Sequence, residues 1–138
     1  MKILGIEHIA IAVDNIAKRS PFWKYILQIP HRTTEVVERE GVTTDIYDTN
    51  KGKVELLEAT SGDSPVGKFL QKKGQGLHHV CFEVDDINSA IKELKENNIR
   101  VLSDHPKVGA EGYEVVFIHP SSAGGVLVEL AQKKTLTI

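Results

Sequence analysis

The chain has 138 residues, 41% of them hydrophobic and 26% charged, with a formal net charge of −2. This is the balance of one globular domain burying roughly two-thirds of its unfolded surface, and it excludes disordered and fibrous classes. Near-neutral charge also removes the electrostatic case for nucleic acid, whose binding needs a concentrated basic face.

No apolar run approaches the ~20 residues of a membrane span, and Met1 to His8 lacks the pattern of a cleaved leader. A cytoplasmic protein with no membrane partner is therefore expected. Cys81 is the only cysteine, so no disulfide forms within the chain, and a buried packing role is expected for it.

In chain order, His8 to Val13 alternates with period two and reads as a strand, Ile9, Ile11 and Val13 on one face and His8, Ala10 and Ala12 on the other. A helix follows, with Ser20 expected as its cap and Pro21 at its first position, carrying Phe22 to Ile29. Strands are expected at about 32–38, 42–47 and 53–58. The Ser61-Gly62-Asp63-Ser64-Pro65 turn leads into a short helix near 66–72, which Gly74-Gln75-Gly76 breaks. A second alternating strand starts at His79, with Val80, Phe82 and Val84 opposite His79, Cys81 and Glu83. Asp85-Asp86 then caps a helix whose Ile87, Ala90, Ile91 and Leu94 recur at helical spacing until Asn97-Asn98. The last strands are expected at about 100–102, 113–118 and 126–131.

The order repeats because the chain is written twice. His8-Ile9-Ala10-Ile11-Ala12-Val13-Asp14-Asn15-Ile16 matches His79-Val80-Cys81-Phe82-Glu83-Val84-Asp85-Asp86-Ile87, and downstream Val54-Glu55-Leu56-Leu57 matches Val128-Glu129-Leu130-Ala131. The expected class is α+β: two tandem βαβββ modules, at about 3–61 and 77–132 with a connector at about 62–76, forming a single duplicated domain over 1–138.

If the halves are related by a pseudo-twofold axis, His8, Glu55, His79 and Glu129 converge on one cleft. Folding alone does not require both residue types to be kept in both copies. Two imidazoles and two carboxylates suit one divalent ion of borderline or hard character, such as Co2+, Zn2+, Mn2+ or Ni2+. Four protein ligands leave an octahedral ion two positions, which a chelating substrate can fill with oxygens. His78 points to the other strand face, where packing or support of a ligand is its expected use. His31, His105 and His119 have no counterpart in the other half, and surface or turn roles are expected for them.

The duplicated βαβββ pattern, with His on the first strand and Glu on the last strand of each half, resembles the vicinal oxygen chelate (glyoxalase) superfamily. Within it, the stretches Asp63-Ser64-Pro65 to Phe69-Leu70, Gly76 to Ile87, and His119-Pro120 to Leu130 resemble the methylmalonyl-CoA epimerases. The likeness covers nearly the whole chain, from Ile6 to about Gln132. It implies a homodimeric isomerase acting on an acyl-CoA, epimerising methylmalonyl-CoA at C2 through an enolate stabilised by a divalent metal, with Co2+ the first expectation. By position it makes His8, Glu55, His79 and Glu129 the metal ligands, with Glu55 standing where some members have Gln. It also makes Glu129 one acid/base for the C2 proton.

Some members place a second glutamate on the third strand, where this chain reads Gly41-Val42-Thr43-Thr44-Asp45-Ile46. Asp45 is the nearest carboxylate and the expected second acid/base, although a shift of one residue reverses strand face. Ser121 stands where many members have Lys, and Lys107 matches a pattern that could face CoA phosphates. The competing readings are a lactoylglutathione lyase (glyoxalase I), an extradiol dioxygenase, and a metal-free small-molecule binding module of the same fold. The second glutamate weighs against the dioxygenase, and retention of all four ligands against the binding module.

Overall fold

The computed structural model describes residues 1–134. The tail 135–138, to which the sequence assigned no role, lies outside the described residues. The chain forms two compact units, one of Met1–Glu7 with His79 onward and one of His8–His78. Both boundaries thus fall inside the first strand of a half, and not in the connector.

In the His8–His78 unit the end of β1 (Ile3–Ala12) lies parallel to β4 (Lys53–Ala59), which pairs antiparallel with β3 (Val42–Asp48) and that with β2 (His31–Val37). In the other unit β5 (Gly76–Val84) lies parallel to β8 (Val128–Gln132), which pairs antiparallel with β7 (Glu114–Ile118) and that with the short β6 (Lys107–Val108). The strand expected at 100–102 is reduced to a single bridge between Val101 and Ile118. β6 comes later instead, directly after Pro106.

Each unit buries one sheet face under its helix. Val13, Tyr47, Val54 and Leu56 form one core with Trp23 and Ile29 packed against them. Val84, Ile87, Ala90, Ile91, Val116, Ile118 and Leu130 form the other. α3 (Ile87–Glu96) begins and ends where its caps predict, with the Asp86 carboxylate accepting from Ser89 N at 3.1 Å and Asn97 at its end.

The first helix departs from expectation. α1 (Ile16–Pro21) starts four residues before Ser20, because the Asn15 side chain caps it by accepting from Lys18 N at 3.0 Å. Pro21 is its last residue, and a π-helical turn, Phe22–Ile26, comes next. Proline has no N–H for the bond to the carbonyl four residues back, so the ladder widens, and Leu27 N reaches Phe22 O at 2.9 Å.

The duplication extends to how each helix is tied to its sheet. The N–H of Ile16 donates to Glu58 Oε1 at 2.7 Å, and the N–H of Ile87 donates to Gln132 Oε1 at 2.8 Å. Glu58 and Gln132 each stand three residues beyond a predicted ligand glutamate, so the helix entry and the glutamate are referenced to the same strand in both halves.

α2 (Pro65–Lys73) is capped by Ser64 Oγ, which accepts from Gly67 N at 3.0 Å. His78 meets Phe69 of this helix edge to face, the ring centroids 5.0 Å apart, which is a packing role as expected. No helix among the described residues is long and apolar enough to cross a membrane.

Candidate metal and acid/base site

Among the described residues the buried polar or charged side chains are His8, Thr44, Asp45, Glu55, Ser64, His79 and Glu129. Dehydrating a carboxylate is costly unless a partner offsets it, so these positions are where chemistry or a polar network must be sought. All four predicted metal ligands are among them, with exposures of 7% for His8, 4% for Glu55, 5% for His79 and 4% for Glu129.

Each histidine is matched with the glutamate of its own half. His8 Nδ1 lies 3.0 Å from Glu55 Oε2, and His79 Nε2 lies 3.2 Å from Glu129 Oε1. The strand register that makes these pairs is the same twice. Ala10 of β1 stands beside Glu55 of β4, and Cys81 of β5 stands beside Glu129 of β8. Ala10 and Cys81 each come two residues after their histidine, so His and Glu share a strand face in both units.

The residue across the antiparallel ladder completes each pair. Ile46 stands opposite Glu55, and Phe117 stands opposite Glu129. Phe117 also meets the His79 ring edge to face, with centroids 5.3 Å apart at 90°. Cys81 is buried beside Val115 and Ala131, the packing role expected of it.

Asp45 does not belong to this face, and the expectation that it serves there as an acid/base is corrected by the register. It stands opposite Leu56, not Glu55, and so shares the helix-covered face with Tyr47, Val54 and Leu56. The one-residue offset of the sequence alignment is real, and in a pleated strand it reverses the face. The residue of β3 that does share Glu55's face, beside Ile46, is the buried Thr44.

Asp45 is held instead in a network of its own. Its carboxylate accepts hydrogen bonds from the Tyr47 hydroxyl and from Thr34 Oγ1 at 2.8 Å, and His31 Nε2 lies 2.7 Å away. Burial pushes the Tyr47 hydroxyl well above its ordinary range, and the hydrogen bond to Asp45 adds to the effect. His31 is exposed, as expected, and also reaches this buried carboxylate. The available signal was the i, i+2 spacing of Asp45 and Tyr47, two polar groups on one strand face. His119 keeps its expected turn role, its Nδ1 accepting from Ser121 N at 3.0 Å.

Residues 7–117 match the Glyoxalase/Bleomycin resistance protein/Dioxygenase superfamily. The mitochondrial methylmalonyl-CoA epimerase of Bos taurus is 44% identical over 128 residues, 92% of this chain and 73% of the relative. An ethylmalonyl-CoA/methylmalonyl-CoA epimerase of Cereibacter sphaeroides is 38% identical over 129 residues, 92% of this chain and 96% of the relative. Among solved structures, a Glu-to-Gln variant of the Streptomyces coelicolor methylmalonyl-CoA epimerase in complex with 2-nitronate-propionyl-CoA superposes with a TM-score of 0.91. It is 32% identical, covering 97% of this chain and all of that one. With the duplicated strands, the repeated His–Glu pairs and these likenesses together, the chain belongs to the methylmalonyl-CoA epimerase family of isomerases, within the glyoxalase superfamily.

Proposed function

We propose that this protein epimerises methylmalonyl-CoA at C2, and that His8, Glu55, His79 and Glu129 together hold one divalent cation in a single duplicated domain. What carries the reading is the same buried His–Glu pair made twice in the same register, in a chain of this family. The donor set fits such an ion: imidazole nitrogens and carboxylate oxygens suit Co2+, Zn2+, Mn2+ or Ni2+ alike, and the family likeness supports Co2+ first. When bound, the ion supplies a positive charge opposite the negative charge that develops on the thioester oxygen as the C2 proton leaves.

The chain's own groups do the rest. Glu129 is one of two acid/bases for the C2 proton, serving one face of C2 while a second group serves the other, so that a proton removed on one face is replaced on the opposite one. Its 4% exposure keeps bulk water from competing for that proton. His79, with Phe117 against its ring, stands 3.2 Å from Glu129 Oε1 and positions it. The partner acid/base on the other face of C2 is not Asp45, which the register turns away from Glu55. The acyl-CoA is the partner molecule, the protein acts in the cytoplasm, and the family likeness supports a homodimer.

The experiment is proton NMR of methylmalonyl-CoA in heavy water, with metal analysis of the same preparation. The wild type is expected to carry one divalent ion per chain and to erase the C2 proton signal. Glu129→Gln is expected to slow that loss by about 10²- to 10⁴-fold. A persistent C2 signal with turnover of a glutathione hemithioacetal would replace this reading with a lactoylglutathione lyase.

A further inference from the structure

Two glycines repeat as strictly as the histidines. Gly5 precedes His8 by three residues in β1, and Gly76 precedes His79 by three residues in β5. Both have positive φ, +149° and +155°, a region that residues with a Cβ rarely adopt. Among the described residues, no atom lies within 4 Å of where a Cβ would stand at either one. Lack of space is therefore not what calls for glycine at these two positions. Backbone conformation is.

Burial becomes regular two residues beyond each glycine, the intervening Ile6 and Leu77 being exposed at 54% and 55%. From Glu7, β1 alternates half-buried and buried, so that Glu7 is half-buried, His8 buried, Ile9 half-buried and Ala10 buried. From His78, β5 does the same: His78 half-buried, His79 buried, Val80 half-buried, Cys81 buried. Ahead of Gly5 there is no such alternation, and Ile3 and Leu4, which a regular strand would turn to opposite faces, are both about half exposed at 47% and 51%. In both strands the buried phase of the histidine thus begins just beyond the peptide with positive φ.

We infer that Gly5 and Gly76 are positioning residues for the paired histidines, each setting through its positive φ the direction of the imidazole three residues on. The inference rests on the metal reading for its consequence, but not for its geometry. An L-residue at either position favours negative φ, which rotates the strand ahead of the histidine. His8 and His79, 7% and 5% exposed, have little room to recover by changing rotamer.

The test uses the full chain with Gly5→Ala and Gly76→Ala made separately, and Gly74→Ala as the comparison. Gly74 also has positive φ, +77°, with no atom within 4 Å of a would-be Cβ, but it ends α2 and lies in no strand. Long-range proton–nitrogen spectra of the metal-free protein report each imidazole, and a Co2+ titration reports affinity. Gly5→Ala is expected to move the His8 ring signals and leave those of His79, Gly76→Ala the reverse, and each to weaken Co2+ binding by about tenfold. Gly74→Ala is expected to lower the melting temperature with ring signals and affinity unchanged.

Should either alanine variant fail to fold, D-alanine introduced at the same position by chemical ligation takes its place, since its mirror-image backbone preference is for positive φ; unmoved imidazole signals with D-alanine support the inference, and moved ones overturn it. Lower melting temperatures with both imidazoles and Co2+ affinity unaltered would overturn the inference. A wild type that binds no Co2+ would instead overturn the metal reading, and the ring signals would still decide the role of the glycines.

Discussion

Ile46 stands directly across the β3–β4 ladder from Glu55, and that pairing decides which side chains of β3 can work beside the glutamate. Thr44 and Ile46 share its face. Asp45 does not, and it spends its carboxylate on Tyr47, Thr34 and His31.

Asp45→Asn is therefore expected to cost stability and not chemistry. Removing the charge weakens three hydrogen bonds to a group 3% exposed, a loss of about 1–3 kcal/mol. Urea unfolding should show that loss, while C2 proton exchange in heavy water stays within a few-fold of wild type. A hundredfold drop in exchange with unchanged stability would restore Asp45 to the reacting centre.

The Tyr47 hydroxyl predicts a specific alkaline limit. Its ionisation is pushed up in the folded state by burial and by Asp45, so above the ordinary tyrosine value of about 10 the unfolded chain loses a proton that the folded chain keeps. The sign is then fixed. This contribution to stability is fully present below pH ~10 and is lost as the pH rises above it, by at most about 1.4 kcal/mol per pH unit. Unfolding measured from pH 8 upward should show that decline, and Tyr47→Phe should flatten it.

Gly67 lies in the first turns of α2, where alanine would ordinarily gain up to about 1 kcal/mol in helix propensity. Here a Cβ would stand 2.4 Å from Ser61 O and 2.9 Å from Gly62 C, both backbone atoms that cannot swing aside. Steric cost wins, and Gly67→Ala is expected to destabilise by about 1–3 kcal/mol. A neutral or raised melting temperature would show that the 61–65 turn yields more easily than its Ser64 cap indicates.

The sequence alone carried whatever depends on local pattern or on repetition. Period-two alternation placed His8 and His79 on strands, Asp86 and Asn97 bounded α3, and duplication picked out Glu55 and Glu129 as partners, because each of these signals lies within a few residues or in two copies of one text. Tertiary structure decided what depends on register and on competition. Whether Asp45 or Thr44 faces Glu55 turns on a one-residue pairing choice, made by strands distant in sequence. α1 starts after Asn15 and not Ser20 because the Asn15 side chain accepts from Lys18 N while Glu58, far along the chain, accepts the Ile16 N–H. His31 is exposed, as expected, but only the folding of β2 onto β3 brings the Asp45 carboxylate to it. A hydrophobic pattern fixes which side of a strand is buried. Only the neighbouring strand fixes what each buried polar group will meet there.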